Sequence, residues 1–113
     1  MFGNWSDLLH TIKKSFGSLA TSNPKMVQAY KALDDAAAEN DVLDPKTREL
    51  ISLAVAITTR CDGCIGAHTD AAIRAGATRE EVAAALATAV SLNAGAAYIY
   101  SMHALEAYDE LKK

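Results

Sequence analysis

Two cysteines, Cys61 and Cys64, stand three residues apart, and His68 follows four residues after the second. Each residue of a helix advances about 100° around the axis, so a helix through this stretch would carry Cys61, Cys64 and His68 on one face. A cysteine near a helix start also feels the positive end of the helix dipole, which favours thiolate over thiol. An imidazole one turn beyond Cys64 can accept or return that thiol's proton, while a carboxylate behind the ring would hold and polarise it. Glu49, twelve residues before Cys61 on the preceding helix, is the leading candidate for that carboxylate if the two helices pack side by side. Thiols at this spacing can also close a disulfide across the first turn. The chemistry implied is reversible dithiol oxidation.

Two other readings use the same residues. Cys61, Cys64, His68 and Glu49 are all side chains that zinc accepts, which would make the chain a non-catalytic metal-binding or helical assembly module. Structural zinc sites usually draw a second ligand pair from a separate knuckle, whereas here three ligands would come from one helix. The blandest reading is two buried thiols acting as small apolar residues. His10 and His103 have no acid or thiol at telling spacing and read as structural. Trp5, Tyr98 and Tyr100 read as packing residues, and Asp62 as a solvated side chain of the first turn.

The elements that must position these residues are helices. Alanine is abundant and no alternating apolar run is bounded by turn residues, so the fold class expected is all-α with no strand. A short amphipathic helix is predicted over residues 4–16, and a second opens with Asn23 as N-cap and Pro24 at its first position. A third starts at Asp44-Pro45 and lines up Leu50, Leu53, Ala54 and Ile57 along one side, with Glu49 one residue off that stripe. The helix of the cysteines should end at Gly76, a residue suited to the left-handed conformation. Thr78-Arg79-Glu80-Glu81 is a capping box that launches the longest helix, predicted to run to about Glu110 through Val82, Leu86, Val90, Ala97 and Tyr100 and, by its length, to project in part beyond a monomer's core.

With 113 residues and half of them hydrophobic, the chain has the size and composition of one folded domain. We read residues 1–113 as that domain, with 44–110 as its core and 1–43 as N-terminal helices. The net charge of −3 and the scattered basic residues leave no footprint for nucleic acid or for an anionic membrane surface. The N-terminal stretch MFGNWSDLLHTIKKSFG lacks the basic-then-apolar pattern of a secretory leader, and no stretch is expected to reach bilayer-spanning length. Cytoplasmic placement follows as the expectation, and there a close cysteine pair is more often catalytic or metal-binding than a structural staple. The small residues at 83–89 and 94–97 permit close helix approach, within the domain or between subunits.

Taken together, Glu49, Cys61-Asp62-Gly63-Cys64, Ile65-Gly66-Ala67-His68 and the following AAIRAGATREEVAAAL resemble the AhpD-like alkylhydroperoxidases of the carboxymuconolactone decarboxylase superfamily. The resemblance runs through most of residues 44–110, including the tail NAGAAYIYSMHALEAYDEL. It implies an AhpD-like helical bundle without cofactor, in which Cys64 attacks a hydroperoxide to become a sulfenic acid and Cys61 condenses with it into a disulfide. Glu49 and His68 would relay protons, and a dihydrolipoyl or thioredoxin-like dithiol protein would reset the pair. The resemblance also implies a homotrimer, or a homohexamer built as a pair of trimers. One position departs from the pattern: Gly63 stands where the best-known peroxidases of the family have a histidine directly before the second cysteine.

Overall fold

A computed structural model describes residues 3–39 and 41–113. Five helices follow one another: α1 (Trp5–Ser22), α2 (Pro24–Ala38), α3 (Pro45–Thr59), α4 (Asp62–Arg74) and α5 (Arg79–Leu111). Among the described residues there is no strand, as the composition required.

The caps explain where the helices start. Asn4 opens α1 by accepting the Asp7 N–H at 3.0 Å, and Asp44 opens α3 by accepting the Thr47 N–H at 2.7 Å. At Thr78 the capping box forms in full, the hydroxyl accepting the Glu81 N–H at 3.1 Å while the Glu81 carboxylate accepts the Thr78 N–H at 3.0 Å. Asn23 precedes α2 as predicted, but its side chain makes no capping bond there. The first helix is longer than the 4–16 expected: it continues to Ser22, and α2 begins two residues later.

Helix α3 is the centre of the arrangement. Both α4 and α5 pack on it, α1 lies across α4, and α2 lies on α1. Phe16 and Tyr30 join α1 to α2 with ring centroids 5.8 Å apart, and the Arg48 guanidinium of α3 donates to the Ala38 carbonyl of α2 at 3.2 Å. Lys46 at the start of α3 pairs with Glu81 at the start of α5 at 2.7 Å, and Asn93 of α5 donates to the Thr58 hydroxyl of α3 at 2.8 Å. These two polar ties fix the register of α5 on α3.

Little of this is core. Among the described residues the buried hydrophobic side chains are Leu53, Ala56, Ala72 and Ala89. The stripe expected on α3 holds in part, with Leu53 buried and Leu50, Ala54 and Ile57 half-buried. On α5 the inward residues are Val82, Ala85, Leu86 and Ala89, whereas Val90, Ala97 and Tyr100 are exposed. For Ala97 and Tyr100 the reason is length: a 33-residue helix is about 50 Å long and overruns the 15-residue α3 against which it packs.

The overrun is large on the scale of the molecule. The radius of gyration is 18.5 Å, against about 13 Å for a compact chain of this length. Accessible surface is 8993 Å², roughly 3,000 Å² above the ~6,000 Å² of a compact monomer of this mass. Residues 82–105 also contain no Asp, Glu, Lys or Arg. By length and composition α5 is therefore long and apolar enough to cross a membrane, which corrects the expectation that no stretch would be.

Candidate active site

Helix α3 ends with Arg60 in the left-handed conformation, at φ 55°, and the Cys61 N–H closes the turn by donating to the Ala56 carbonyl at 3.1 Å. A branched or long side chain adopts that conformation only when its surroundings impose it. Here the imposition is the reversal itself, because two residues, Arg60 and Cys61, turn the chain back so that α4 lies along α3. Everything chemical in the sequence is gathered by this helical hairpin.

Cys61 is the N-cap of α4 and not a residue of its face. Its backbone is extended, at φ −100° and ψ 95°, and its sulfur accepts the Cys64 N–H at 3.2 Å. The helical rotation assumed from the sequence therefore applies to Cys64 and His68 but not to Cys61. The two cysteines still meet, for a different reason: an N-cap side chain folds back over the first turn, where Cys64 lies. They are joined as a disulfide, with Cα atoms 5.2 Å apart.

His68 follows one turn after Cys64, and its Nδ1 donates to Glu49 Oε2 at 2.7 Å. The pair spans the hairpin, Glu49 rising from the second turn of α3 and His68 from the second turn of α4. Glu49 is the more sheltered, its side chain 16% exposed against 36% for His68. An acceptor-only carboxylate at Nδ1 fixes the tautomer of the neutral ring with its hydrogen on Nδ1, leaving Nε2 to take a proton. Thus Cys61, Cys64, His68 and Glu49 are all brought to one hairpin.

With the sulfurs bonded to each other they are not free to ligate zinc. Among the described residues no group of three or more His, Cys, Asp or Glu side chains is arranged to hold a metal ion. His103 lies far along α5, stacked on Tyr100 with centroids 4.4 Å apart, and His10 is exposed on α1.

The sequence reading missed the surroundings of the site. Cys64 and His68 line an open depression of about 270 Å³ whose other wall is α3, presenting Ile51, Ser52, Val55, Ala56 and Thr59. Ile51, Val55 and Thr59 recur every fourth residue, a second stripe offset from the core stripe, and that periodicity was the available signal. The opposite face of α4 carries Gly63 and Gly66, and α1 lies on both. A Cβ at Gly63 would come within 2.9 Å of Ile12 Cδ1, and one at Gly66 within 3.5 Å of Leu9 and Trp5. Position 63 thus lies under α1, and a side chain as large as histidine would have to displace Ile12.

The sequence profile of the carboxymuconolactone decarboxylase family matches residues 24–107, most of the chain and the whole hairpin. The chain belongs to the carboxymuconolactone decarboxylase family. A protein of Haemophilus influenzae is 62% identical over 112 residues, covering 99% of each chain. One from Cupriavidus necator is 34% identical, covering 91% of each. A third, described as protein 4 in the cox locus of Paracoccus denitrificans, is 35% identical and covers 86% of this chain and 87% of that one. The fold matches the crystal structure of an apo carboxymuconolactone decarboxylase family protein from Legionella pneumophila with a TM-score of 0.75 at 34% identity, covering 96% of this chain and 97% of that one. The family and its all-α fold agree with the resemblance read from the cysteine and histidine spacing.

Proposed function

We propose that this chain is a thiol-dependent peroxidase or disulfide oxidoreductase that uses the Cys61–Cys64 dithiol to reduce hydroperoxides in antioxidant defence. The observation that carries the reading is the Glu49–His68 contact at 2.7 Å, which leaves Nε2 as the imidazole's proton acceptor while His68 lines the same depression as Cys64. His68 takes the Cys64 proton. The thiolate attacks the terminal oxygen of the hydroperoxide, the O–O bond breaks, and the departing alkoxide leaves as the alcohol with the proton returned from His68. Cys64 is then a sulfenic acid. The Cys61 thiolate attacks its sulfur, the S–O bond breaks, water departs with one proton, and the disulfide present in the structure results. A dithiol protein of dihydrolipoyl or thioredoxin type returns the pair to the reduced state.

The same reading places the protein in the cytoplasm as a homotrimer or homohexamer. Support for assembly comes from the excess of about 3,000 Å² of surface, which falls in the range buried by obligate interfaces, and from α5 beyond Asn93, where Tyr98, Ile99 and Leu105 are all at least 66% exposed. Copies of the chain cover that surface in preference to a bilayer, because the first half of α5 is tied to α3 by Lys46–Glu81 and Asn93–Thr58.

The test is a count of thiols. One equivalent of peroxide should remove both thiols of the reduced protein and two hydrogens from its mass. Cys61→Ser should accumulate a sulfenic acid on Cys64 that a dimedone-type probe labels. Retention of both thiols in the presence of peroxide would overturn the peroxidase reading, and labelling of Cys61 in Cys64→Ser with none on Cys64 in the other variant would reverse the roles.

A further inference from the structure

The two sulfurs of the disulfide have unlike surroundings. Cys61 Sγ sits over the first turn of α4 and accepts the Cys64 N–H at 3.2 Å. Cys64 faces the depression between α3 and α4, together with His68. Thiol–disulfide exchange is directional, because the sulfur that is attacked keeps the incoming group while the other must leave as a thiolate, and it leaves faster the better its negative charge is held. A backbone N–H at a helix N-terminus holds such a charge well. The flanking charges are Arg60 and Asp62, both exposed and opposite in sign, so neither sign dominates beside Cys61.

Resting on the dithiol reading above, we infer that the reducing thiol enters through the same depression as the peroxide, attacks Cys64 Sγ, and expels Cys61 as the thiolate. The incoming R–SH gives its proton to His68 Nε2, its sulfur bonds to Cys64 Sγ, and the Cys61–Cys64 bond breaks. Cys61 departs as a thiolate on the Cys64 N–H. A second thiol then attacks the outer sulfur of the mixed disulfide, releasing Cys64. Two thiols are oxidised to one disulfide, and the protein disulfide is reduced to a dithiol. Cys61 is the sulfur that carries the charge when the disulfide opens, while Cys64 is the one that meets every external reactant. Peroxide and reductant therefore share one opening, walled by Ile51, Val55 and Thr59.

The experiment treats the oxidised wild-type protein with 2-mercaptoethanol, quenches with acid at short times, alkylates free thiols and locates both modifications by fragmenting the peptide that contains Cys61 and Cys64. The expected product carries mercaptoethanol on Cys64 and the alkyl group on Cys61, in excess of the opposite isomer by tenfold or more at the earliest time. A second measurement follows thiolate absorbance against pH in the single-cysteine variants. Cys61 in Cys64→Ser should ionise about one pH unit or more below Cys64 in Cys61→Ser. A mixed disulfide mainly on Cys61, or an equal or inverted order of ionisation, overturns the inference and leaves the dithiol chemistry standing. A disulfide that 2-mercaptoethanol cannot open at all overturns the dithiol reading itself.

Discussion

The hairpin of α3 and α4 and the distal half of α5 are built on opposite terms. In the hairpin, polar and reactive groups find their partners inside one chain: Glu49 with His68, Cys61 with Cys64, and the Ala56 carbonyl with the N–H that closes the turn. Beyond Asn93, α5 presents Tyr98, Ile99, Tyr100, Met102 and Leu105 to the surroundings, each at least 52% exposed. The contacts among Glu49, His68, Cys61 and Cys64 form within one copy, while the apolar side chains of distal α5 stay exposed in it. The contrast separates two requirements that a compact single domain would satisfy together, and each can be perturbed without the other.

The largest effect should come from the hairpin. Glu49→Gln removes the carboxylate that orients His68, and thiol reactivity at neutral pH should fall by about 10²–10⁴-fold with the helical content intact. Stopped-flow peroxide consumption across pH measures it, and a rate profile equal to that of the wild type would mean that the helix terminus alone activates the thiols. On the other side of the comparison, Ala97→Arg sets a charge in the uncharged stretch of α5. Light scattering should then give a mass several-fold below that of the wild-type assembly, while stoichiometric loss of both thiols to peroxide persists. A wild-type protein monodisperse at 12 kDa would show that α5 needs no second copy.

A smaller effect is expected where α1 crosses the back of α4. Gly63→Leu must displace Ile12 and should destabilise by about 1–3 kcal/mol, read as a lower denaturation midpoint. Gly17→Ala on α1, which meets open space, should not destabilise. The smallest effect is electrostatic. Lys46 and the Thr78 cap hold the Glu81 carboxyl below its ordinary 4.5, and the Thr47 N–H holds Asp44 below 3.8. Both acids are more acidic folded than unfolded, so their stabilisation is full above those values and is lost as pH falls through the lower folded ones. The melting temperature should decline below about pH 4, and Lys46→Met should flatten the part of that decline due to Glu81.

Much of the plan could be read from residue order. Pro45 behind Asp44, the T-R-E-E box and Gly76 announce helix boundaries through local chemistry, and local chemistry is what a sequence displays directly. The link between Glu49 and His68 was also legible, since the spacing allows it once two antiparallel helices are assumed. The conformation of Cys61 was not. Whether a residue is the first of a helix or its cap depends on Arg60 adopting a positive φ, which arginine's own preferences disfavour and the tight reversal enforces. That part of α5 would overrun the core was legible from its length, but the side of α5 that packs on α3 was not. Its apolar residues occur on every side, so periodicity carries no direction, and only the length of α3 decides where contact stops.

The serial contacts of the N-terminal helices have a consequence for how the molecule opens. Helix α2 lies on α1, and α1 on α4, while neither packs on α5, so release of the first two helices, with loss of the Arg48–Ala38 hydrogen bond, would leave the α3–α4–α5 framework in place. Cooperative units with few buried contacts open at low free energy, well short of global unfolding. Backbone amides of α2 should exchange with deuterated solvent first, those of α1 next, and those around Leu53 last. An opening of α1 would bare Gly63 and Gly66 and wet the back of the helix that carries Cys64 while Glu49 still grips His68 from the front.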